Sequence, residues 1–184
     1  MLRWATLMIA TLSISFAAAA PQTSPGAGPV IVLETSRGTI ELETYPEEAP
    51  KTVAQIVGLV RRGFYDGLRF HRSDPGFLVQ IGDPSSRDMS RRDFWGRGSS
   101  GTPIGVAEIT KKRRNIRGAV AMAYAGSDPR AADSQFYILR RASPQLDPKY
   151  TVFGRVIKGI EVVDTIEAAD MLRKAAVREG PAVP

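Results

Sequence analysis

The chain has 184 residues, 43% of them hydrophobic, and a formal net charge of +6. This is the length of one ordinary domain, and the composition predicts a folded core rather than a disordered or fibrous chain. Cysteine is absent and there is one histidine, which excludes a disulfide scaffold, a cysteine nucleophile and a zinc site built from several imidazoles. Prolines and glycines scattered without a repeat favour a turn-rich, mainly β domain.

The first 20 residues have the plan of a secretory signal peptide. Arg3 precedes an uncharged apolar run that ends in alanines at 17–20, and small residues are typical of a cleavage site. The alternative is a membrane anchor, but about 15 apolar residues form a helix of roughly 22 Å, shorter than the ~30 Å hydrocarbon core. We therefore expect a cleaved signal peptide over residues 1–20, a flexible lead-in rich in Pro, Gly and Ser over residues 21–29, and a folded domain over residues 30–184. The mature protein is then periplasmic or secreted.

In chain order, the first predicted elements are a hairpin and a helix. Apolar and polar residues alternate over residues 30–34 and 39–44 with a Gly-containing turn between them, which predicts two paired strands. Apolar residues then recur at helical spacing, so a helix is predicted to begin near Pro50 and to end at Gly63.

The remaining elements are mostly short strands. Residues 70–82 predict a strand, a turn and a second strand, whereas residues 85–105 form a long irregular segment. Further strands are predicted over 118–125, 134–139 and 151–157, a short helix over 160–169, and a weakly patterned closing strand within 175–184. Many short strands with two helices are typical of a closed barrel or a sandwich.

Basic charge is concentrated between residues 85 and 117. Nine Lys and Arg residues in this window stand against three acidic residues. A block such as residues 111–114 suits an anionic partner, and it equally suits a solvated loop face. Because we expect an exported protein, we do not expect nucleic acid as a partner.

Polar residues inside apolar strands are the candidates for a functional site. Arg72 and Gln80 flank the turn at residues 74–76, so their side chains are expected to converge, and Gln135 stands at the start of another apolar strand. For each residue the alternative interpretation is a structural hydrogen bond. The sequence has neither a phosphate-binding Gly-rich loop nor a nucleophile elbow.

Four segments in this order resemble the cyclophilins, a family of peptidyl-prolyl cis–trans isomerases. They are FYDGLRFHR with PGFLVQIGD, RGAVAMAYAG, DSQFYIL and LDPKYTVFGRV, and the resemblance extends over residues 30–167. It implies a mainly β fold, namely a closed eight-stranded antiparallel β-barrel capped by two α-helices. It also implies isomerisation of X–Pro bonds during protein folding, without a cofactor or a metal. We expect a monomer without stable membrane insertion that acts on proline-containing peptides and on unfolded or partly folded proteins.

The resemblance also implies roles for individual residues. The catalytic arginine falls on Arg72, and the glutamine that orients it falls on Gln80. The proline pocket falls on Phe77, Leu78, Tyr137, Leu146 and Tyr150. Contacts to the peptide backbone fall on Ala123, Tyr124, Ala125 and Gln135. His71 is expected to be a packing residue at the pocket rim.

The chain departs from the family pattern near these residues. Asp74 stands two residues after Arg72, where aliphatic residues are common, and its carboxylate is expected to compete for the guanidinium. Gln145 replaces a familiar tryptophan, so strong binding of cyclosporin is not expected. The segment 85–105 is longer and more basic than in many members. The alternative function is therefore a catalytically weak cyclophilin-fold module that binds proline-containing segments, or an anionic partner through its basic loop.

Overall fold

The computed structural model describes residue 26 and residues 28–179. The predicted signal peptide, residues 21–25 and 27 of the lead-in, and residues 180–184 lie outside the described residues. The described chain forms eight strands and two α-helices. In chain order they are β1 Val30–Thr35, β2 Thr39–Thr44, α1 Pro50–Arg61, β3 Arg72–Asp74, β4 Leu78–Ile81, β5 Ala119–Met122, β6 Phe136–Leu139, β7 Val152–Lys158, α2 Ile160–Thr165 and β8 Leu172–Arg178.

The eight strands form a single antiparallel sheet that curls into a half-barrel. Their spatial order is β3-β4-β6-β5-β7-β2-β1-β8, which confirms the prediction of a mainly β fold with eight antiparallel strands. A closed barrel is not confirmed, because within residues 28–179 no ladder between named strands joins β3 to β8. An isolated bridge between Arg69 and Met171 lies beside these two edges.

Strands β4 and β6, which carry part of the candidate site, are buried on both faces. On β4 and β6, Val79 and Ile138 belong to the main core, whereas Leu78 and Tyr137 belong to a second apolar cluster on the opposite face. Successive residues of a strand point to opposite faces, so a strand covered on both sides consists of a continuous apolar run. The second cluster forms the floor of the site described below.

Helix α1 packs its apolar face on the main core. Val53, Ile56 and Val60 recur at helical spacing and are buried. Burial of each of these side chains contributes roughly 1.5–3 kcal/mol of hydrophobic stabilisation. Pro50 occupies the first turn, where its missing N–H is not needed. Gly63 follows the helix with a φ of +68°, a conformation that glycine adopts without strain.

The described part of the lead-in lies against β2. Gly26 N donates a hydrogen bond to Glu43 Oε2 at 3.0 Å, and Thr44 Oγ1 donates one to the carbonyl oxygen of Pro29 at 2.7 Å. Gly28 is buried, and a Cβ there would lie 2.3 Å from Thr44 Oγ1. The packed part of the domain therefore begins ahead of β1. Within the described residues, no helix has the length and apolar character that a membrane span requires.

Candidate active site

The hairpin of β3 and β4 brings Arg72 and Gln80 together. Arg72 is the cross-strand partner of Gln80, and the connecting turn is closed by a 3.0 Å hydrogen bond from Phe77 N to the carbonyl oxygen of Asp74. Gly76 has a φ of +66° in this turn. The expected convergence of Arg72 and Gln80 is therefore observed, with 47% of the Arg72 side chain exposed to solvent.

A cavity of about 380 Å³ opens beside Arg72. Nine of the eleven predicted site residues line it. These nine are Arg72, Phe77, Leu78, Gln80, Ala123, Tyr124, Tyr137, Leu146 and Tyr150. The other two, Ala125 and Gln135, line an adjoining cavity of about 240 Å³. The two cavities share Gln80, Ala123 and Tyr124, so together they form one continuous groove. We call them the proline pocket and the side pocket.

Three tyrosines form the wall of the proline pocket. The Tyr137 and Tyr150 rings meet edge to face with centroids 5.6 Å apart, and the Tyr124 and Tyr150 rings are tilted with centroids 5.0 Å apart. Such ring contacts hold aromatic side chains in fixed orientations. The pocket therefore has a stiff aromatic wall that suits an apolar ring such as that of proline.

A buried asparagine that the sequence analysis did not identify supports this wall. Tyr137 Oη donates a hydrogen bond to Asn115 Oδ1 at 2.9 Å, and Asn115 N and Nδ2 donate to Asp147 Oδ1 at 2.7 and 2.8 Å. Burial raises the pKa of Tyr137, so its hydroxyl stays a neutral donor. Burial alone would raise the pKa of Asp147, but hydrogen bonds from Asn115 and Arg114 outweigh it and lower that pKa. Asn115 thus links the tyrosine wall to an ionised carboxylate.

Gln135 connects the hairpin to the loop that follows β4. Gln80 Nε2 donates to Gln135 Oε1 at 2.9 Å, and Gln135 Nε2 donates to the carbonyl oxygens of Gly96 and Gly98 at 3.0 and 2.8 Å. The Gln135 carbonyl oxygen accepts a 2.9 Å hydrogen bond from Ala123 N. The Gln80 side chain is therefore held by a hydrogen bond from its Nε2 to Gln135.

Arg140 supports the hairpin from behind, a role that the sequence did not suggest. Its buried guanidinium donates to the carbonyl oxygens of Asp74, Val163 and Ile166 at 3.2, 3.0 and 2.5 Å. Ser73 Oγ also donates to Ile166 O at 2.8 Å. These bonds tie β3, which carries Arg72, to the end of α2.

His71 lies outside both pockets. Its ring packs under the loop at Gly96, where a Cβ would lie 3.3 Å from His71 Cδ2. Burial is the largest influence on this side chain and lowers its pKa, so the imidazole is neutral near pH 7. In the described residues no group of three or more histidine and carboxylate side chains is placed to hold a metal ion.

Comparison with known proteins supports the resemblance seen in the sequence. The profile of the family described as "Cyclophilin type peptidyl-prolyl cis-trans isomerase/CLD" matches residues 30–182. A probable peptidyl-prolyl cis-trans isomerase of Brucella abortus (strain 2308) is 37% identical over 176 residues, which cover 93% of this chain and 89% of that protein. Peptidyl-prolyl cis-trans isomerase-like 3 of Homo sapiens is 39% identical over 137 residues, which cover 74% of this chain and 81% of that protein.

The fold is also similar to that of solved structures. A cyclophilin type peptidyl-prolyl cis-trans isomerase of Cryptosporidium parvum aligns with a TM-score of 0.72 at 24% identity, covering 84% of this chain and 99% of that one. The same protein was also crystallised in the presence of the dipeptide Ala-Pro, and that structure aligns with a TM-score of 0.71 at 24% identity over 82% of this chain and 99% of that one. At 24% identity, these two alignments show a similarity of fold alone.

Proposed function

The chain belongs to the cyclophilin-type peptidyl-prolyl cis–trans isomerase family, so its reaction is the isomerisation of X–Pro peptide bonds, and we propose that the groove around Arg72 is its active site. The observation that carries this proposal is that the half-exposed Arg72 side chain lines a pocket walled by tyrosines. Arg72 is the catalytic residue of the proposal, and Gln80 is its positioning residue.

The reaction requires no covalent chemistry. Rotation about an amide has a barrier of about 20 kcal/mol because the C–N bond has partial double-bond character. Only X–Pro bonds populate the cis form appreciably, and they isomerise unaided in tens to hundreds of seconds. A site that binds the twisted amide more tightly than either planar form lowers this barrier. Neither a nucleophile nor a cofactor is needed for that.

Arg72 can supply part of the stabilisation. In the twisted state the prolyl nitrogen regains its lone pair, which can accept a hydrogen bond from an always-charged, planar guanidinium. An acceleration of about 10⁵-fold corresponds to about 7 kcal/mol of barrier. A hydrogen bond from a charged donor supplies about 1.5–3 kcal/mol. Most of the reduction of the barrier must therefore come from other contacts in the groove.

The groove can supply this share by holding one side of the rotating bond. The rings of Phe77, Tyr137 and Tyr150 enclose the proline ring, and the backbone around Ala123 binds the peptide chain. Because Gln80 Nε2 is engaged by Gln135, Gln80 Oε1 is the group of its amide that remains to orient Arg72. The prolyl side is then held while the preceding carbonyl rotates.

The substrates that we propose are proline-containing segments of unfolded or partly folded proteins. With 47% of the Arg72 side chain exposed, an extended chain can reach the guanidinium directly. The structure of the Cryptosporidium parvum protein in the presence of Ala-Pro supports this choice. We expect the protein to act on such chains as a monomer.

Export and closure of the sheet complete the proposal. The segment 1–20 supports export to the periplasm or the medium, which N-terminal sequencing of the protein purified from its host would test.

Leu172 N donates to Leu68 O and Gly67 N donates to Leu172 O, both at 2.8 Å, beside the Arg69–Met171 bridge. This pairing favours a closed barrel, which would hold the edge strand that carries Arg72.

The second candidate function is a binding module with little activity. The ion pair of Arg72 with Asp74 favours it, because an engaged guanidinium is less available to substrate. Exchange NMR on a short Ala-Pro peptide measures affinity and cis–trans exchange in one sample. Faster exchange on addition of the folded protein supports the isomerase site. Saturable binding of the peptide without faster exchange would establish the binding module instead.

A further inference from the structure

The side pocket is reached by the same peptide that occupies the proline pocket. The two pockets share Gln80, Ala123 and Tyr124, and the side pocket extends from there to the loop at residues 96–99. An extended chain advances about 3.3 Å per residue. A side chain one or two positions away from the proline can therefore enter the side pocket.

Arg97 gives this pocket a positive charge that is available to a ligand. It is the only cationic residue of the lining, and none of the ion pairs found in the described residues involves it. Its guanidinium carbon lies 5.5 Å from the centroid of the exposed Phe94 ring, a contact that leaves its N–H groups free to donate. Arg97 is thus an unpaired donor fork at the wall of a pocket.

The single carboxylate of the lining does not neutralise Arg97. Asp133 is buried, and its two oxygens accept hydrogen bonds from the loop: Oδ1 from Ser100 N at 3.0 Å and from Ser100 Oγ, and Oδ2 from Thr102 N at 2.8 Å. The Asp133 charge is therefore committed to holding residues 100–102. A carboxylate that enters the pocket meets Arg97 as its charged partner.

The backbone on both sides of Arg97 is fixed. Gly96 N donates to Asp83 Oδ2 at 2.5 Å, and the carbonyl oxygens of Gly96 and Gly98 accept from Gln135 Nε2. Gly98 lies so close to Asp83 that a Cβ would be 2.2 Å from Oδ1. Since Gln135 also fixes Gln80, the loop that presents Arg97 is connected to the residue opposite Arg72. The loop backbone is therefore held before a ligand binds, so that binding orders only the Arg97 side chain.

From this geometry we propose that Arg97 binds an acidic side chain of the substrate in the side pocket, so that the enzyme prefers X–Pro segments with Asp or Glu two residues before or two residues after the proline. This inference rests on the proposed active site, because it uses the same groove. A guanidinium can bind a carboxylate through two parallel hydrogen bonds. We expect a three- to tenfold preference, which corresponds to about 0.6–1.4 kcal/mol and lies between an exposed ion pair and a hydrogen bond to a charged group.

The test compares peptides on one enzyme. Two acetylated series, Xaa-Ala-Pro-Phe and Ala-Ala-Pro-Phe-Xaa, carry Glu, Gln or Lys at Xaa and so place the charge on either side of the proline. The kcat/KM ratio of the Glu to the Gln peptide is measured for the parent, Arg97→Gln, Arg97→Glu and Arg92→Gln. Arg92 is the matched control, since it lies on the same segment and contacts an aromatic ring, Trp95, at 6.0 Å, but does not line the pocket. A ratio within one enzyme cancels any general loss of activity.

In one of the two series we expect a Glu-to-Gln ratio of three to ten for the parent and for Arg92→Gln. For Arg97→Gln the expected ratio is about one. For Arg97→Glu it is below one, and this variant favours the Lys peptide instead. Raising the salt to 0.5 M reduces the parent ratio because the pair is exposed. A parent ratio of one in both series, or a preference that survives Arg97→Gln, would overturn the inference. Turnover of the Gln peptide tests the active site separately, and if it is absent the same ratio is taken from Kd values.

Discussion

Arg72 Nη2 lies 2.5 Å from Asp74 Oδ2. The two residues are separated by one position on β3, so their side chains project from the same face of the strand. The free enzyme therefore holds its proposed catalytic guanidinium on an intramolecular carboxylate, as the sequence led us to expect. Both side chains are about half exposed, and such a pair contributes only about 0–1 kcal/mol. The contact restrains Arg72 without withdrawing it from the groove.

Asp74→Asn is expected to raise kcat/KM on an Ala-Pro peptide about two- to fivefold. The reason is that the substrate no longer competes with a carboxylate for Arg72, and 1 kcal/mol corresponds to about a factor of five. Asp93→Asn is the control, because it removes the same charge from an exposed position outside the groove. A lower kcat/KM for Asp74→Asn would instead show that the carboxylate holds Arg72 in its working orientation.

Tyr137→Phe is expected to lower the free energy of unfolding by about 1–2 kcal/mol. The substitution leaves the buried Asn115 Oδ1 without its donor, and an unsatisfied buried acceptor has a cost of this size. Tyr124→Phe removes a hydroxyl that donates to Lys149 O at the surface, and a change below 0.5 kcal/mol is typical of such a site. Urea unfolding of the two variants measures the difference, and equal losses would contradict the structural role given to Asn115.

Arg140→Lys is expected to lower the free energy of unfolding by about 3 kcal/mol and to reduce kcat. A lysine nitrogen cannot reach the three carbonyl oxygens that the Arg140 guanidinium serves, and β3 loses its attachment to the end of α2. Arg141→Lys keeps the same chemistry at the neighbouring exposed position and is expected to change the free energy of unfolding by less than 0.5 kcal/mol. Thermal unfolding with parallel activity assays would detect both effects. An unchanged free energy of unfolding in Arg140→Lys would contradict the supporting role given to Arg140.

Asp83 is expected to make the protein sensitive to acid. Burial alone would raise its pKa, but hydrogen bonds from Ser85, Gly98 and Gly96 outweigh it, and the pKa lies below the ordinary value of 3.8. A carboxyl whose pKa is lowered by folding contributes stability above that ordinary value, and the contribution is lost as the pH falls through the lower folded pKa.

Unfolding in urea between pH 6 and pH 2.5 measures this dependence. We expect Asp83→Asn to be less stable than the parent at pH 6 and to lose less stability on acidification. Asp93→Asn is the same-charge control and is expected to follow the parent curve. Identical slopes for Asp83→Asn and the parent would show that the loop does not depend on the ionised carboxylate.

The sequence was sufficient to predict most of the strands because these rest on local patterns, whereas most of the candidate site residues came from the family resemblance. Strands buried on two faces, such as β4 and β6, consist of apolar runs in which Gln80 stands out, and Arg72 lies across the predicted turn from it. The turn between those two residues then fixes their convergence. The eleven residues that the resemblance implied line two adjoining pockets, and their individual roles stay predictions.

The missed features are hydrogen bonds between residues far apart in the chain. Asn115 bonds Tyr137, 22 residues away, Arg140 bonds Ile166, 26 residues away, and Asp83 bonds Gly96, 13 residues away. Such pairs leave no periodic pattern in the sequence. Strand β8 begins at Leu172, ahead of the stretch 175–184 in which the closing strand was expected, because the charged residues that follow Leu172 hide its alternation.

The most direct test of the account is cis–trans exchange on an Ala-Pro peptide, measured for the parent and for Arg72→Ala and Arg72→Lys at saturating peptide. We expect a tenfold or greater loss of kcat in Arg72→Ala, equal to about 1.4 kcal/mol or more of barrier. A comparable loss is expected in Arg72→Lys, because an ammonium lacks the planar donor fork. Peptide affinity is expected to change less than kcat. An Arg72→Ala variant that keeps more than half of the parent kcat would contradict the assignment of Arg72 as the catalytic residue.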